Sequence, residues 1–106
     1  SYDAAVARWP EEPLAWLGRG NVAFADGQHE ESAEAYVRAI RLAPENAAAR
    51  NNLAELLLDA GCVAESRRQV ERAYALAAGT VLETAVADSR ARIEGAALAA
   101  RDCPLQ

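Results

Sequence analysis

The chain has 106 residues, 52% of them hydrophobic, with eleven arginines, no lysine, no methionine and a formal net charge of −5. That length suits one domain with a buried core. The acidic balance excludes a nucleic-acid backbone as the main partner, because such affinity comes from clustered lysine and arginine. No run of about 18 apolar residues is present to span a membrane, and the first twenty residues lack the basic-then-apolar layout of a signal peptide. Without a methionine the segment reads as a piece of a longer protein.

Alanine, leucine, glutamate and arginine dominate, and aromatics are confined to Tyr2, Trp9, Trp16, Phe24, Tyr36 and Tyr74, a composition that favours helix throughout. A short helix is predicted over Tyr2–Arg8. Glu11-Glu12-Pro13 then reads as the acidic, proline-bearing start of a second helix reaching Ala25, with Leu14, Trp16, Leu17, Ala23 and Phe24 as its apolar positions. Inside it lies GRGNVA, Gly18 to Ala23, which fits the G-x-G-x-x-G/A pattern of a dinucleotide-binding turn. That chemistry needs a strand before the glycines, and none is predicted. Gly18 and Gly20 therefore fall mid-helix, where each costs about 1 kcal/mol relative to alanine. Further helices are predicted over His29–Leu42, Ala47–Ala60 and Val63–Ala77. Thr80-Val81-Leu82-Glu83 has the form of a capping box opening a last helix to about Ala100. That helix sets Ser89, Arg90, Arg92 and Glu94 among apolar Leu82, Ala85, Val86, Ile93 and Ala97, and Arg101–Gln106 forms a loose tail.

Shifting the chain by 34 residues aligns Tyr2 with Tyr36, Ala5 with Ala39, Pro10 with Pro44, Gly20 with Ala54, Gly27 with Gly61, Ser32 with Ser66 and Ala39 with Ala73. The period and the residues Trp16, Gly20, Gly27, Ser32, Tyr36, Ala39 and Pro44, followed by Leu53, Ala54, Leu57, Gly61, Ser66 and Ala73, resemble the tetratricopeptide repeat. The resemblance implies an all-α fold: a right-handed superhelical solenoid of antiparallel helix pairs with a C-terminal capping helix. Residues 1–106 then form a single domain. Residues 1–12 are the second half of a truncated repeat, 13–46 and 47–80 complete repeats, 81–100 the cap and 101–106 the tail. Arg19 stands where the pattern has leucine, the aromatic expected at Ala23 has moved to Phe24, and Ala78 replaces the closing proline. Gly20 and Ala54 are expected where paired helices approach closely, and Gly27 and Gly61 where helices end in a left-handed residue. Gly18 has no role in the pattern.

No catalytic, cofactor-binding or metal-ligating set is predicted. His29 is the one histidine and reads as a surface residue near a helix start, since a serine, cysteine or metal mechanism needs a convergent partner set. Glu11/Glu12, Glu30/Glu31 and Asp59 read as helix-start acids and solvated faces, and Arg67-Arg68 is too short for a nucleic-acid patch. Cys62 and Cys103 are too few for a disulfide framework and too far apart for a zinc knuckle, so Cys62 reads as a small, partly buried filler and the redox compartment stays open.

The resemblance instead implies a surface: a concave groove, lined by the first helix of each pair, that binds a peptide or partner segment without catalysis. Its positions here are Leu14, Leu17, Asn21 and Phe24, then Ala48, Asn51, Asn52, Glu55, Leu58 and Asp59. One tetratricopeptide subfamily grips a terminal carboxylate with asparagines flanked by cations. Asn21 and Asn52 match its asparagines, but Leu17, Leu82 and Val86 occupy the cationic slots, and the acids Glu55 and Asp59 favour a neutral or basic partner. The open N-terminal half repeat, with Tyr2, Ala5, Val6 and Trp9, offers a route to a homo-oligomer.

A second resemblance joins Ala48-Ala49-Arg50-Asn51-Asn52-Leu53-Ala54-Glu55 and Arg72-Ala73-Tyr74-Ala75-Leu76-Ala77-Ala78-Gly79 to the C-terminal tetratricopeptide segment of bacterial exported cysteine-peptidase-like proteins. It implies an accessory segment whose catalytic domain lies upstream of Ser1, in a periplasmic or lipoprotein parent.

Overall fold

A computed structural model describes residues 1–97, which hold six helices and no strand. They are α1 (Tyr2–Arg8), α2 (Pro13–Ala25), α3 (His29–Leu42), α4 (Ala47–Asp59), α5 (Val63–Ala77) and α6 (Glu83–Ala96). The chain divides into two compact units, one from Ser1 to Glu45 and one beginning at Asn46.

In the first unit α2 packs against both α1 and α3. Pro13 sits at the start of α2, where its missing N–H costs nothing, and the Glu12 carboxylate accepts the Leu14 N–H at 3.2 Å. The helix stops because Gly27 adopts φ +75°, which lets the Gln28 N–H reach back to the Ala23 carbonyl at 2.8 Å and satisfy a carbonyl that the helix end exposes. Along α3 the buried residues are Ser32, Ala35, Tyr36 and Ala39, a single stripe turned to α2. Glu30 and Glu31 in its first turn and Arg41 in its last complement the helix dipole.

Two contacts set how closely these helices approach. The Ser32 hydroxyl donates to the Gly20 carbonyl at 2.8 Å, and the Tyr36 ring lies on the bare Cα of Gly20, where an added Cβ would stand 2.5 Å from Cε1. Gly18 does the same for the other neighbour, because its missing Cβ leaves the space filled by the ring of Tyr2. Residues two apart on a helix point about 200° apart, so the glycines serve opposite faces of α2. Gly18, which the repeat pattern leaves without a role, is thereby accounted for. Val6 completes the α1 contact and is buried, while Tyr2 stays 47% and Trp9 56% exposed.

The second unit repeats the pairing one period later. The Ser66 hydroxyl donates to the Ala54 carbonyl at 2.7 Å, Gly61 ends α4 at φ +86°, and the Cys62 N–H reaches the Leu57 carbonyl at 2.7 Å. Val70 stands where Tyr36 stood, and with the smaller side chain α4 carries a Cβ at Ala54. Both belong to one buried cluster with Ala47, Ala73, Ala77, Val86 and Ile93, against which Leu58 and Tyr74 pack.

Helix α6 packs on α5 and on α4. It begins at Glu83, two residues later than a box with Thr80 as its N-cap requires. The Thr80 and Glu83 side chains bond the main chain of the turn and not each other's: the Thr80 hydroxyl accepts the Leu82 N–H at 3.2 Å and donates to the Ala77 carbonyl, and the Glu83 carboxylate accepts the Gly79 N–H at 3.0 Å. Gly79, at φ +76°, makes that turn possible. The remainder of the cap expected to Ala100, and the 101–106 tail, lie outside the described residues. Val86 and Ile93 bury the cap against the core, and ion pairs ring the contact: Arg92 grips Glu55 of α4 with both guanidinium arms, Arg67 of α5 pairs with Glu94 at 3.2 Å, and Arg90 with Glu71 at 3.0 Å. Burial pushes the Glu55 carboxylate up, but hydrogen bonds from Arg92 and Ser89 and the Arg92 charge outweigh it and hold its pKa below the usual 4.5.

Gly20→Ala should lower stability by about 1–3 kcal/mol through overpacking, although alanine is the better helix former, because the Tyr36 ring is fully enclosed. Gly18→Ala should cost less, since the half-exposed Tyr2 swings aside and only α1 frays. In urea melts, Tyr36→Val should rescue part of the Gly20→Ala loss by recreating the Ala54/Val70 pair; additive losses would mean the seat is misassigned. A carboxylate held below its unfolded pKa stabilises the fold above that value and ceases to do so as pH falls through the folded one. Arg92→Gln should therefore flatten the loss of stability with acid that begins below about pH 4.5, read as thermal midpoints across an acid series.

Candidate functional site

On α2, Leu14, Leu17, Asn21 and Phe24 fall at i, i+3, i+7 and i+10 and share one stripe. Leu14 is 64% exposed, Leu17 and Phe24 are half-buried and Asn21 is exposed. The stripe has structure behind it. The Tyr36 hydroxyl donates to Asn21 Oδ1 at 2.6 Å, so the ring seated on Gly20 also orients the asparagine. Burial raises the Tyr36 pKa, and the Ser32 hydrogen bond lowers it by less, so the phenol remains protonated and a donor at neutral pH. Phe24 meets the His29 ring edge-on at 6.5 Å between centroids, which places the lone histidine at the start of α3 as an aromatic neighbour. Trp16, buried toward α3, donates Nε1–H to the Pro10 carbonyl at 2.7 Å and has the Arg38 and Arg19 guanidiniums 4.8 and 5.5 Å from its ring. It fixes the α1–α2 turn and α2 itself beneath the stripe.

On α4 the predicted positions divide. Ala48, Asn51 and Asn52 are half-buried and Asp59 is exposed, and Asn51 Oδ1 is buried with no hydrogen-bond partner among the described residues. Leu58 packs on the core cluster, and Glu55 is taken by Arg92. These two side chains are therefore engaged within the second unit, under α6, and the charge of Glu55 is matched there. Sequence reading missed this because Arg92 lies in the helix that leaves the repeat. The one signal available was the pairing of Ser89 and Arg92, three residues apart on the same α6 face.

The chemistry of GRGNVA is decided by its backbone. Both glycines are helical and covered by tyrosine rings, so the segment cannot open its N–H groups to a pyrophosphate as a strand-to-helix turn does. Among the described residues no three His, Cys, Asp or Glu side chains gather as a metal site, and no helix is long and apolar enough to cross a membrane. Cys62 departs from the filler role read from the sequence: it is buried and disulfide-bonded.

Residues 20–61 match the family model of the TPR repeat. A stretch of 56 residues, 53% of the chain, is 34% identical to protein O-mannosyl-transferase TMTC1 of Mus musculus, and spans 6% of that protein's length. The match to the family runs from Gly20, which seats Tyr36, to Gly61, which ends α4, and so contains the end of α2 and the whole of α3 and α4. Repeat sequence and helix-pair geometry coincide over those residues, and the fold is all-α, of the tetratricopeptide-repeat type.

Proposed function

We propose that the chain is a non-catalytic protein-interaction module that binds an extended peptide or partner segment through the exposed stripe of α2, with the Ala48, Asn51, Asn52 face of α4 as the equivalent stripe of the second unit. The observation that carries this reading is the α2 stripe. A helix already packed on two sides leaves Leu14, Leu17 and Phe24 partly open beside an asparagine held in place by Tyr36. Apolar anchors next to an oriented amide suit a peptide, whose backbone offers N–H and C=O groups whatever its sequence. With Glu55 matched by Arg92, Asp59 is the exposed acid of this set, and apolar contact should carry more of the affinity than charge.

A second reading, in which the segment belongs to an exported parent with its catalytic domain elsewhere, is favoured by the Cys62 disulfide. Such bonds persist mainly in oxidising compartments.

Three measurements test these readings. Selection from a phage-displayed random peptide library should yield binders, and Phe24→Ala should weaken them by about tenfold or more. Failure to enrich any peptide, or equal binding by the variant, would remove the α2 stripe as the site. Calorimetric titration with NAD should show no saturable heat; a binding isotherm would restore the dinucleotide reading of GRGNVA. Alkylation of the denatured chain should find no free thiol until reductant is added, whereas a reactive Cys62 before reduction would remove the support for export.

A further inference from the structure

Three of the six described arginines of the second unit are closely matched by carboxylates: Arg92 by Glu55, Arg67 by Glu94 and Arg90 by Glu71. Two on α5 are not matched in this way. Arg68 is largely exposed and stands 3.9 Å from Glu65, at the edge of ion-pair range. Arg72 is exposed and makes no ion pair or hydrogen bond among the described residues. They are four residues apart and so project from the same helix face, where like charges oppose the helix. Behind them Arg50 of α4, 8% exposed, donates to Gln69 Oε1 at 3.3 Å. Burial lowers the Arg50 pKa and the Arg72 charge lowers it further. Positive charge thus gathers along a shallow depression of about 600 Å³ lined by Ala64, Arg67, Arg68, Glu71 and Arg72, in a chain whose net charge is −5. Glutamine at position 72 would keep most of the side-chain bulk without the repulsion, so the charge is not explained by the fold.

We propose that this face of α5 docks an acidic segment of a partner protein, whose Asp or Glu carboxylates are gripped by Arg68 and Arg72. The planar guanidinium fork suits bidentate contact with carboxylates. The Cβ atoms of residues four apart on a helix stand about 6 Å apart, close to the roughly 6.6 Å between alternate residues of an extended strand, so an acid-x-acid spacing fits the pair. A nucleic acid is disfavoured because its continuous charge needs many clustered cations, and the chain's net charge is −5. The site lies on α5, apart from the α2 and α4 stripes, and stands or falls independently of them.

The test is fluorescence polarisation with a labelled alternating Glu-Ser peptide, an alternating Gln-Ser control and a single-stranded oligonucleotide, each in low-salt and physiological buffer. The Glu-Ser peptide should bind, more weakly as salt rises, and the control should not. Arg68→Gln with Arg72→Gln should reduce that affinity at least about tenfold, with Phe24→Ala leaving it unchanged. The double variant should melt at or above the temperature of the unmodified protein, since it removes repulsion. Absence of Glu-Ser binding, equal binding of the control, tighter binding of the oligonucleotide, or a lowered melting temperature in the double variant would each overturn the proposal.

Discussion

The close approach of α3 to α2 depends on a missing atom. With no Cβ at Gly20, the Tyr36 ring comes close enough for its hydroxyl to reach the neighbouring Asn21, and for the Ser32 hydroxyl to reach the Gly20 carbonyl. The three contacts are coupled. A hydrogen bond from a buried serine to a main-chain carbonyl tolerates little change in helix separation, because bonds weaken as they lengthen and a buried hydroxyl left unpaired is costly. The second unit shows that the hydroxyl bond is the constant and the aromatic seat the variable. Ser66 bonds the Ala54 carbonyl at nearly the same distance, while Ala54 and Val70 redistribute the volume that Gly20 and Tyr36 divide differently.

This division explains which features could be read from the sequence. The pairing of α2 with α3 and of α4 with α5 was legible because small residue, serine and turn glycine recur together at one period, and each has a stereochemical reason to be where it is. Gly18 was not legible because its partner, Tyr2, precedes it in the chain and belongs to a different helix pair; a search for periodic matches compares equivalent positions and cannot detect a ring that fills a gap in the next repeat. Nor was the engagement of Glu55. Its partner Arg92 is 37 residues away in a helix that has left the period, so only the folded cap brings them together. The start of α6 was misplaced for a related reason: a threonine and a glutamate at capping-box spacing also suit a turn through Gly79, and the turn takes them.

The same economy of aromatic residues shapes the exposed surface. Tyr36 and Trp16 are spent on holding helices, Tyr36 by its ring and hydroxyl and Trp16 by its indole N–H and flanking guanidiniums. Phe24 is the aromatic of α2 with no such internal duty beyond its edge contact with His29. Its half-exposure beside Leu17 and the exposed Leu14 is what separates the α2 stripe from an ordinary solvated face, because three large apolar residues and Asn21 share that one line of the helix.

Charge is used differently on the two helices of the second unit's pair. On α4 and its cap, the acid Glu55 is answered by an arginine, while Val86 and Ile93, buried in the shared apolar cluster, seat α6. On α5 the outward arginines outnumber the acids that answer them. Ion pairs at a surface contribute little to stability, so an unanswered arginine costs the fold little to keep and little to lose. What distinguishes Arg72 is the direction of its cost. It faces Arg50, whose burial leaves that guanidinium less screened by water than a surface charge, so relief comes either from removing the charge of Arg72 or from an anion placed against it. The first would be a stability gain with no function attached. The second requires a ligand, and Arg68, one turn earlier on the same face, supplies the second point at which an extended acidic chain can be held.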